Sequence, residues 1–153
     1  MPCLNFHWRE IPMLFNGVSS HCDLKCAIIV SKENGKIHRA FNTDKNTVYQ
    51  YKIDGEVISK NDPQKRCDYL VENEDKKTAY IIELKGTDLS HAIEQIEATI
   101  QLFSRLFNQN NYTIYPRIVF GSNTHAVNDT RYRKFLKKYP QAKIRSTLIE
   151  EPI

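Results

Sequence analysis

The sequence predicts an α/β domain in which helices pack on a mixed central β-sheet. Three observations lead to this prediction. Apolar residues recur at helical spacing over 89–107, short runs with strand character lie on both sides of that segment, and 153 residues suffice for one hydrophobic core. Strands that alternate with helices are typical of a sheet flanked by helices. We therefore expect a single domain over residues 1–153.

The composition is that of a soluble globular protein, with 41% hydrophobic and 26% charged residues. No apolar run is long enough to cross a bilayer, and Arg9 and Glu10 interrupt the N-terminus before a secretory signal could form. We therefore expect a cytoplasmic protein without a membrane partner. The net charge of +4 is compatible with a nucleic-acid partner but does not single one out.

The cysteines are expected to be free thiols, because disulfides are rare in the cytoplasm. A zinc site is the alternative, since three residues separate Cys22 from Cys26, and Cys3, His7 and His21 lie nearby. The sequence contains no C-x2-C pair and no second matching knuckle, and Cys26 opens an apolar run. Structural cysteines are therefore the favoured interpretation.

Several strands are predicted before the long helical segment. The runs 27–31 and 37–41 are strand-like, and the polar residues 33–36, which include Asn34-Gly35, indicate a turn between them. Side chains alternate in polarity over 48–58, which predicts one half-buried strand. Two further strands are predicted over 67–71 and 78–84, joined across the polar residues 72–77.

The clearest helix spans 89–107, with Thr87 or Asp88 as its N-cap. At 1.5 Å per residue it would be about 30 Å long. After it we predict a strand over 112–120, whose Pro116 indicates an edge or a bulge. A second helix over 129–139, stopped by Pro140, and a last strand over 143–149 complete the chain. The apolar stripe of the first helix contains Leu89, Ile93, Ile96, Ile100, Phe103 and Phe107.

Two carboxylates are predicted to face each other across the hairpin 67–84. Because side chains alternate along a strand, Glu83 and Lys85 point to one face, and Ile82 and Leu84 to the other. If the two strands are connected by an even number of residues, such as 74–77, the two residue numbers of each opposed pair add up to 151. Asp68 then lies opposite Glu83, about 4.5–5.5 Å away at Cβ. Two carboxylates at this distance repel each other, so a proton or a cation is expected between them. Mg²⁺ is a cation that fits such oxygen ligands.

A solvated cross-strand ion pair is the alternative interpretation of Asp68, Glu83 and Lys85, contributing about 0.2–1 kcal/mol. Ala79 and Ile81 share the face of Glu83, however, so this face is expected to be covered and the charges desolvated at a cost. The metal site is therefore favoured. Lys85 then lies where a phosphate oxygen or an attacking water would be.

The pattern Asp68, fourteen intervening residues, Glu83-Leu84-Lys85 lies on a strand hairpin followed by an amphipathic helix and another strand. It resembles the PD-(D/E)xK nuclease superfamily over about residues 48–120, although Cys67 replaces the proline of that motif. The resemblance implies a restriction-endonuclease-like core and hydrolysis of phosphodiester bonds in nucleic acid, DNA before RNA, with Mg²⁺ or Mn²⁺. It implies that Asp68, Glu83 and the Leu84 carbonyl bind the metal and that Lys85 orients or activates the nucleophilic water.

The resemblance also implies two supporting residues. Members of the superfamily often add an acidic ligand from an earlier element, for which Asp54 is the best match, with Glu56 behind it. Some members carry a glutamine in the helix after the lysine, which Gln95 matches. The alternative function is a catalytically inactive module of the same fold that binds nucleic acid or protein, either as a homodimer or as a subunit of a larger assembly.

The helix over 129–139 carries five cations around an apolar stripe and has no acid after Asp129. Five cations are more than solubility requires, so a phosphate-contacting surface is predicted, with a solvated surface as the alternative. The predicted nucleic-acid-binding residues are Arg131, Arg133, Lys134, Lys137 and Lys138.

Overall fold

A computed structural model describes residues 14–15, 25–121 and 130–153 of the chain. Cys26 and Cys67 are free thiols there, whereas Cys3, His7, His21 and Cys22 of the zinc alternative lie outside the described residues. The described parts of the chain form eight strands and three helices: β1 (Ile28–Glu33), β2 (Lys36–Phe41), β3 (Val48–Lys52), β4 (Tyr69–Asn73), β5 (Thr78–Leu84), α1 (Leu89–Leu102), α2 (Ser104–Gln109), β6 (Thr113–Phe120), α3 (Thr130–Lys138), β7 (Lys143–Ser146) and β8 (Leu148–Pro152).

Five strands form a mixed sheet in the order β3-β4-β5-β6-β7. The first three are an antiparallel meander, and β6 and β7 each run parallel to the preceding strand in that order. The predicted mixed sheet is thereby confirmed. Because β5, β6 and β7 are parallel, their carboxyl ends lie at one edge of the sheet. Pro116 lies in the half of β6 that, among the described strands, pairs with β5 and not with β7, as a proline at a sheet edge does.

A second sheet, with the order β1-β2-β8, covers one face of the larger sheet. Its hairpin turn has positive φ angles at Asn34 and Gly35, as the Asn-Gly pair predicted. Ile29 and Ile149 pack from this sheet against residues of the larger one such as Ile82. Helices were expected to flank the central sheet, but on this face a second sheet takes their place. The cause lies at Thr147, whose φ of 66° divides the predicted strand 143–149 and directs the chain into the second sheet.

The helices cover the other face of the five-stranded sheet, where Ile93 and Ile96 pack with Ile81. Asp88 caps α1, because its side chain accepts a hydrogen bond from the backbone N–H of His91 at 2.9 Å. The helix predicted over 89–107 is divided into α1 and α2. The apolar stripe continues across the division, which is why periodicity alone did not indicate it. No helix in the described ranges is long and apolar enough to cross a membrane.

The strand predicted over 48–58 ends at Lys52, because the chain turns sharply after it. Gly55 has a φ of 102°, a conformation that favours glycine, and its N–H donates to the Ile58 carbonyl at 2.8 Å. Asp54 and Ile58 form an isolated bridge instead of continuing the strand. The backbone N–H of Ile53, just before the turn, donates to the Asp68 carbonyl at 2.8 Å and so continues the pairing of β3 with β4 by one residue.

A buried ionic network around Glu151 joins the two sheets. Arg117 of β6 donates to both carboxylate oxygens, with Nε 2.6 Å from Oε1, and Lys143 Nζ lies 2.8 Å from Oε2. His38 Nε2 of β2 lies 2.9 Å from Oε1. Burial alone would raise the pKa of Glu151, but hydrogen bonds from His38, Arg117 and Lys143 outweigh it and hold this pKa well below its ordinary value.

Replacing the acid of this network tests its contribution to stability. Glu151→Gln should lower the free energy of unfolding by about 3–5 kcal/mol, because Arg117, only 3% exposed, would lose its ionised partner. Glu150→Gln is the matched control, since Glu150 pairs with Arg39 at the surface and its loss should cost at most about 1 kcal/mol. Urea unfolding of both variants gives the comparison, and equal losses would contradict the assigned role of the network.

Glu72 of β4 is a second buried carboxylate, on the face toward the helices. It accepts hydrogen bonds from the Leu14 N–H at 2.8 Å and from the Tyr112 hydroxyl at 3.0 Å. Burial is the largest influence and raises the pKa of Glu72 to about 7, although both hydrogen bonds act in the opposite direction. Glu72 is therefore expected to release its proton near neutral pH.

The stabilising effect of protonated Glu72 should be lost as pH rises. Below an ordinary glutamate pKa of about 4.3 the residue is protonated in both the folded and the unfolded chain. Between that value and about 7 only the unfolded chain releases the proton, so stability falls, by at most roughly 4 kcal/mol, and above about 7 the loss is complete. Urea unfolding from pH 5 to pH 8 should show this trend in the difference between wild type and Glu72→Gln. A difference independent of pH would refute the shift.

Candidate active site

The pairing of β4 with β5 has the predicted register. Tyr69 lies opposite Ile82 and Leu70 opposite Ile81, so the paired numbers sum to 151. The ladder ends one step before Asp68 and Glu83, which places both residues at the same end of the two strands. The backbone N–H of Asp68 still donates to the Ile82 carbonyl at 3.1 Å. Backbone hydrogen bonds therefore hold the two predicted carboxylates next to each other.

Both carboxylates are buried. Asp68 is 9% exposed and Glu83 only 1%, and Ala79 and Ile81 on the same face as Glu83 are fully buried. This face is therefore covered, as its apolar residues predicted. The alternative interpretation was a solvated cross-strand ion pair. The burial does not fit it, because both carboxylates have lost most of their contact with water.

Few hydrogen bonds compensate for this burial. Asp68 Oδ2 accepts the backbone N–H of Leu84 at 2.8 Å, so it is the amide of Leu84 that contacts the pair. Glu83 Oε2 is buried and has no hydrogen-bond partner. Buried polar atoms in folded proteins usually have a partner, so this carboxylate oxygen is available to a proton, a water or a cation.

The electrostatics of the pair follow from burial and from the mutual repulsion of acids. Burial is the main cause that raises the pKa of Glu83, and the negative charge of Asp68 adds to it, whereas Lys85 acts in the opposite direction. Burial also raises the pKa of Asp68, against the hydrogen bond from Leu84. The pair therefore favours a bound proton or a bound cation over two free negative charges.

Glu33 is a third acid at this site, and the sequence did not reveal it. It lies at the end of β1, opposite Lys36 in the hairpin of the second sheet. It is close enough to Asp68 to interact with it by a side-chain hydrogen bond, and its charge raises the pKa of both Asp68 and Glu83. The hairpin itself was predicted, but the contact depends on how the two sheets pack, for which the sequence carries no local signal.

Asp54 and Gln95 both contact Arg66, two residues before Asp68. Asp54 Oδ1 accepts from Arg66 Nε at 2.9 Å and its side chain is 42% exposed, yet its charge also raises the pKa of Asp68. Gln95 Nε2 donates to the Arg66 carbonyl at 3.0 Å, whereas its buried Oε1 has no partner. Together with His91 these residues line a small polar pocket of about 270 Å³. Both predicted supporting residues therefore lie at Arg66, in a pocket that neither Asp68 nor Glu83 lines, and only the charge of Asp54 acts on Asp68.

The five cations of α3 fall into two groups. Arg131 is held against α1, because it donates to Ser90 Oγ at 2.9 Å and pairs with Glu94. Hydrogen bonds from Lys65 and Arg131 lower the pKa of Glu94 to about 2. The other four cations have exposed side chains: Arg133, Lys134, Lys137 and Lys138.

The donor set of the pair suits a hard divalent cation. Within residues 14–15, 25–121 and 130–153, no group of three or more His, Cys, Asp or Glu side chains is arranged to hold a metal ion. Mg²⁺ keeps several waters and binds through one or two carboxylates, so a pair such as Asp68 and Glu83 is sufficient for it.

Comparisons with known proteins give no matching family model, no similar curated protein and no similar solved structure. The function of the chain is therefore inferred from the geometry and chemistry of its own residues. Among these, the buried pair Asp68 and Glu83 is the feature that structural stability least explains.

Neutralising the pair should not destabilise the metal-free protein. Glu83→Gln should leave the fold intact and raise the melting temperature in EDTA at pH 8, because glutamine is neutral in both states, whereas glutamate must take up a proton on folding or be buried as a charge beside Asp68. Asp68→Asn retains an acceptor for the Leu84 N–H and should behave similarly. Glu151→Gln is the control, since it makes the same substitution at a buried glutamate surrounded by cations and should lower the melting temperature. Destabilisation by Glu83→Gln would support a structural ion pair with Lys85.

Proposed function

We propose that this chain is a metal-dependent nuclease that hydrolyses phosphodiester bonds of nucleic acid, DNA before RNA. The observation that carries the proposal is Glu83 Oε2, a buried carboxylate oxygen without a hydrogen-bond partner, beside the carboxylate of Asp68. Two desolvated acids destabilise a fold unless a proton or a cation compensates them. A divalent ion between Asp68 and Glu83 would cancel their repulsion. It would also provide the partner that Glu83 Oε2 lacks.

Mg²⁺ or Mn²⁺ fits these ligands, because carboxylate and water oxygens suit hard cations. Asp68 and Glu83 would hold the ion, with the Leu84 carbonyl as the further ligand that the resemblance implies. When bound, such an ion lowers the pKa of coordinated water and stabilises charge on the phosphate. Glu33 and Asp54 add negative charge around the pair and thereby favour a divalent cation over a monovalent one.

Lys85 is the residue proposed to act on the substrate. It follows Glu83 on the same face of the strand, and its backbone N–H donates to the Val119 carbonyl at 2.9 Å, which fixes its position at the sheet edge. Its side chain is partly exposed, and its positive charge acts on Glu83. The ammonium group would donate to a phosphate oxygen or hold the attacking water, while Gln95 would help to position that water.

The order of the elements supports a restriction-endonuclease-like core. The antiparallel meander of β3, β4 and β5 is followed by α1 and then by β6, parallel to β5. The resemblance implies a core with a helix, a three-stranded meander, a helix and a strand, and the elements from β3 to β6 follow this order after the first helix. In place of a helix before the meander, the described residues have the hairpin of β1 and β2. That hairpin brings Glu33 to the site.

The cations of α3 support nucleic acid as the substrate. The helix follows β6, whose carboxyl end lies at the same sheet edge as Lys85, and Arg131 in its first turn contacts Ser90 near the start of α1. The cationic helix therefore begins on the side of the molecule where the carboxylates lie. Lysine and arginine side chains that neutralise phosphates provide most of the sequence-independent affinity for nucleic acid.

A cleavage assay tests the proposal directly. Wild type should cut plasmid or single-stranded DNA in the presence of Mg²⁺ or Mn²⁺ but not in EDTA. Lys85→Ala should reduce the rate by about 10²–10⁴-fold, because it removes a group proposed to assist proton transfer or charge stabilisation. Lys76→Ala is the matched control, since Lys76 lies in the turn at the opposite end of β5 and should leave the rate unchanged. Equal effects of both substitutions would argue against a role for Lys85.

Thermal melts separate loss of metal binding from loss of chemistry. A cation that binds only the folded protein stabilises it by about 2.7 kcal/mol at 100 times its Kd. Wild type and Lys85→Ala should therefore melt at higher temperature in Mn²⁺, whereas Asp68→Asn and Glu83→Gln should not. Absence of both the shift and the cleavage in wild type would leave the inactive binding module as the better interpretation.

A further inference from the structure

Thr99 is a buried polar residue in the second half of α1, among the side chains that pack against the sheet. Its hydroxyl donates to the Gln95 carbonyl, one helical turn earlier, at 2.7 Å. A hydroxyl that donates can still accept, and Thr99 Oγ1 accepts the backbone N–H of Cys67 at 2.7 Å. The hydroxyl is therefore oriented by its own helix and holds the chain that leads into β4.

Gln95 holds the other polar group of the same peptide bond. Its Nε2 donates to the Arg66 carbonyl at 3.0 Å, and that carbonyl and the N–H of Cys67 belong to one peptide unit. Gln95 and Thr99 are four residues apart, so they lie on one face of α1. Two side chains of one helix thus hold both polar groups of a single peptide unit, which we call the Arg66–Cys67 peptide.

The Arg66–Cys67 peptide is the first of three consecutive peptide units that are held around Asp68. The N–H of Asp68 donates to the Ile82 carbonyl at 3.1 Å, and the carbonyl of Asp68 accepts the N–H of Ile53 at 2.8 Å. Because a peptide unit is planar, hydrogen bonds at its polar groups fix the orientation of the whole unit. The backbone at Asp68 is therefore fixed by α1, β5 and β3 in turn.

This fixed backbone determines where the carboxylate of Asp68 lies. Asp68 Oδ2 accepts the N–H of Leu84 at 2.8 Å, which places the carboxylate beside Glu83 although the two acids repel each other. The helix that holds the chain before Asp68 is also the helix that follows the strand of Glu83. One element therefore positions both carboxylates relative to each other.

We propose that Thr99 is a positioning residue for Asp68: with Gln95 it fixes the Arg66–Cys67 peptide, so that Asp68 and Glu83 are held ready for one divalent cation. This inference rests on the proposed nuclease function and adds a residue that lies outside the Asp-Glu-Lys pattern. Residues that orient the ligands of a metal typically contribute about 10–100-fold to its affinity or to activity.

Mn²⁺ affinity tests this role, measured by isothermal titration calorimetry on variants whose folding is checked by circular dichroism. Thr99→Val keeps the shape of the side chain but removes the hydroxyl, so the Kd for Mn²⁺ should rise by about 10–100-fold. Thr99→Ser keeps the hydroxyl and should bind Mn²⁺ as wild type does. Wild-type affinity in Thr99→Val would overturn the inference.

Tyr112→Phe is the matched control for a general loss of stability. It removes another buried hydroxyl that contacts β4, since Tyr112 donates to Glu72 Oε1 at 3.0 Å. Glu72 lies four residues from Asp68, about 13 Å along the strand. This variant should therefore keep the Mn²⁺ affinity of wild type. Equal weakening in Tyr112→Phe and Thr99→Val would overturn the inference, because any lost hydrogen bond to β4 would then suffice.

The backbone amide of Leu84 reports the position of Asp68 without any metal. A hydrogen bond to a carboxylate moves an amide proton resonance downfield, so the Leu84 resonance in EDTA should move upfield in Thr99→Val when Asp68 is displaced. Thr99→Ser and Tyr112→Phe should leave this resonance in place. An unchanged Leu84 resonance in Thr99→Val would overturn the inference, whatever its Mn²⁺ affinity.

The outcome for Thr99 is distinguishable from the outcome for the nuclease site. If wild type cleaves DNA with Mn²⁺ while Thr99→Val keeps both the affinity and the Leu84 resonance, the inference fails and the nuclease proposal stands. If wild type shows neither cleavage nor Mn²⁺ binding, the nuclease proposal fails, and the Leu84 resonance alone decides whether Thr99 positions Asp68.

Discussion

The register between β4 and β5 is the constraint on which the candidate site depends. Both faces of β5 are buried, since Ile81 packs toward the helices and Ile82 toward the second sheet. A slip of one residue would exchange these two sets of side chains and would move Glu83 to the opposite face. The packing of both cores therefore fixes the pairing that brings Asp68 beside Glu83. Hydrophobic burial along the whole strand holds together two charges that repel each other at its end.

Glu151 and Glu83 show why burial alone does not identify a functional acid. Both are almost fully buried, but Glu151 is surrounded by Arg117, Lys143 and His38, which keep its carboxylate ionised and satisfied. Glu83 lies beside another acid, and one of its oxygens has no partner. A buried acid with matched cations has a structural explanation. A buried acid beside another acid needs a bound proton or a bound cation, and this contrast within one chain is why the pair Asp68 and Glu83, rather than Glu151, is the candidate site.

Sequence reasoning predicted the parts of the fold that depend on local patterns and missed those that depend on how layers pack. The strand 78–84 was predicted with its observed bounds, because a continuous apolar run ends at the Lys85-Gly86 step. An even connection of four residues then gave the register with β4. The second sheet was not predicted, because it requires the chain to turn at Thr147 and pair β8 with the distant β2. Glu33 was missed for the same reason, since its neighbours at the site come from another sheet.

The parallel part of the sheet explains why the carboxylates and the cations lie on the same side of the molecule. A parallel strand can follow another only after a crossover, and here α1 provides the crossover from β5 to β6. The chain therefore returns to the same edge after β6, and α3 begins beside the start of α1, where Arg131 meets Ser90. Charges that are far apart in the sequence are thus brought to one edge by topology. In open α/β sheets, ligands bind outside the carboxyl ends of parallel strands. The geometry of this chain favours the same edge of the sheet as the place where a ligand would bind.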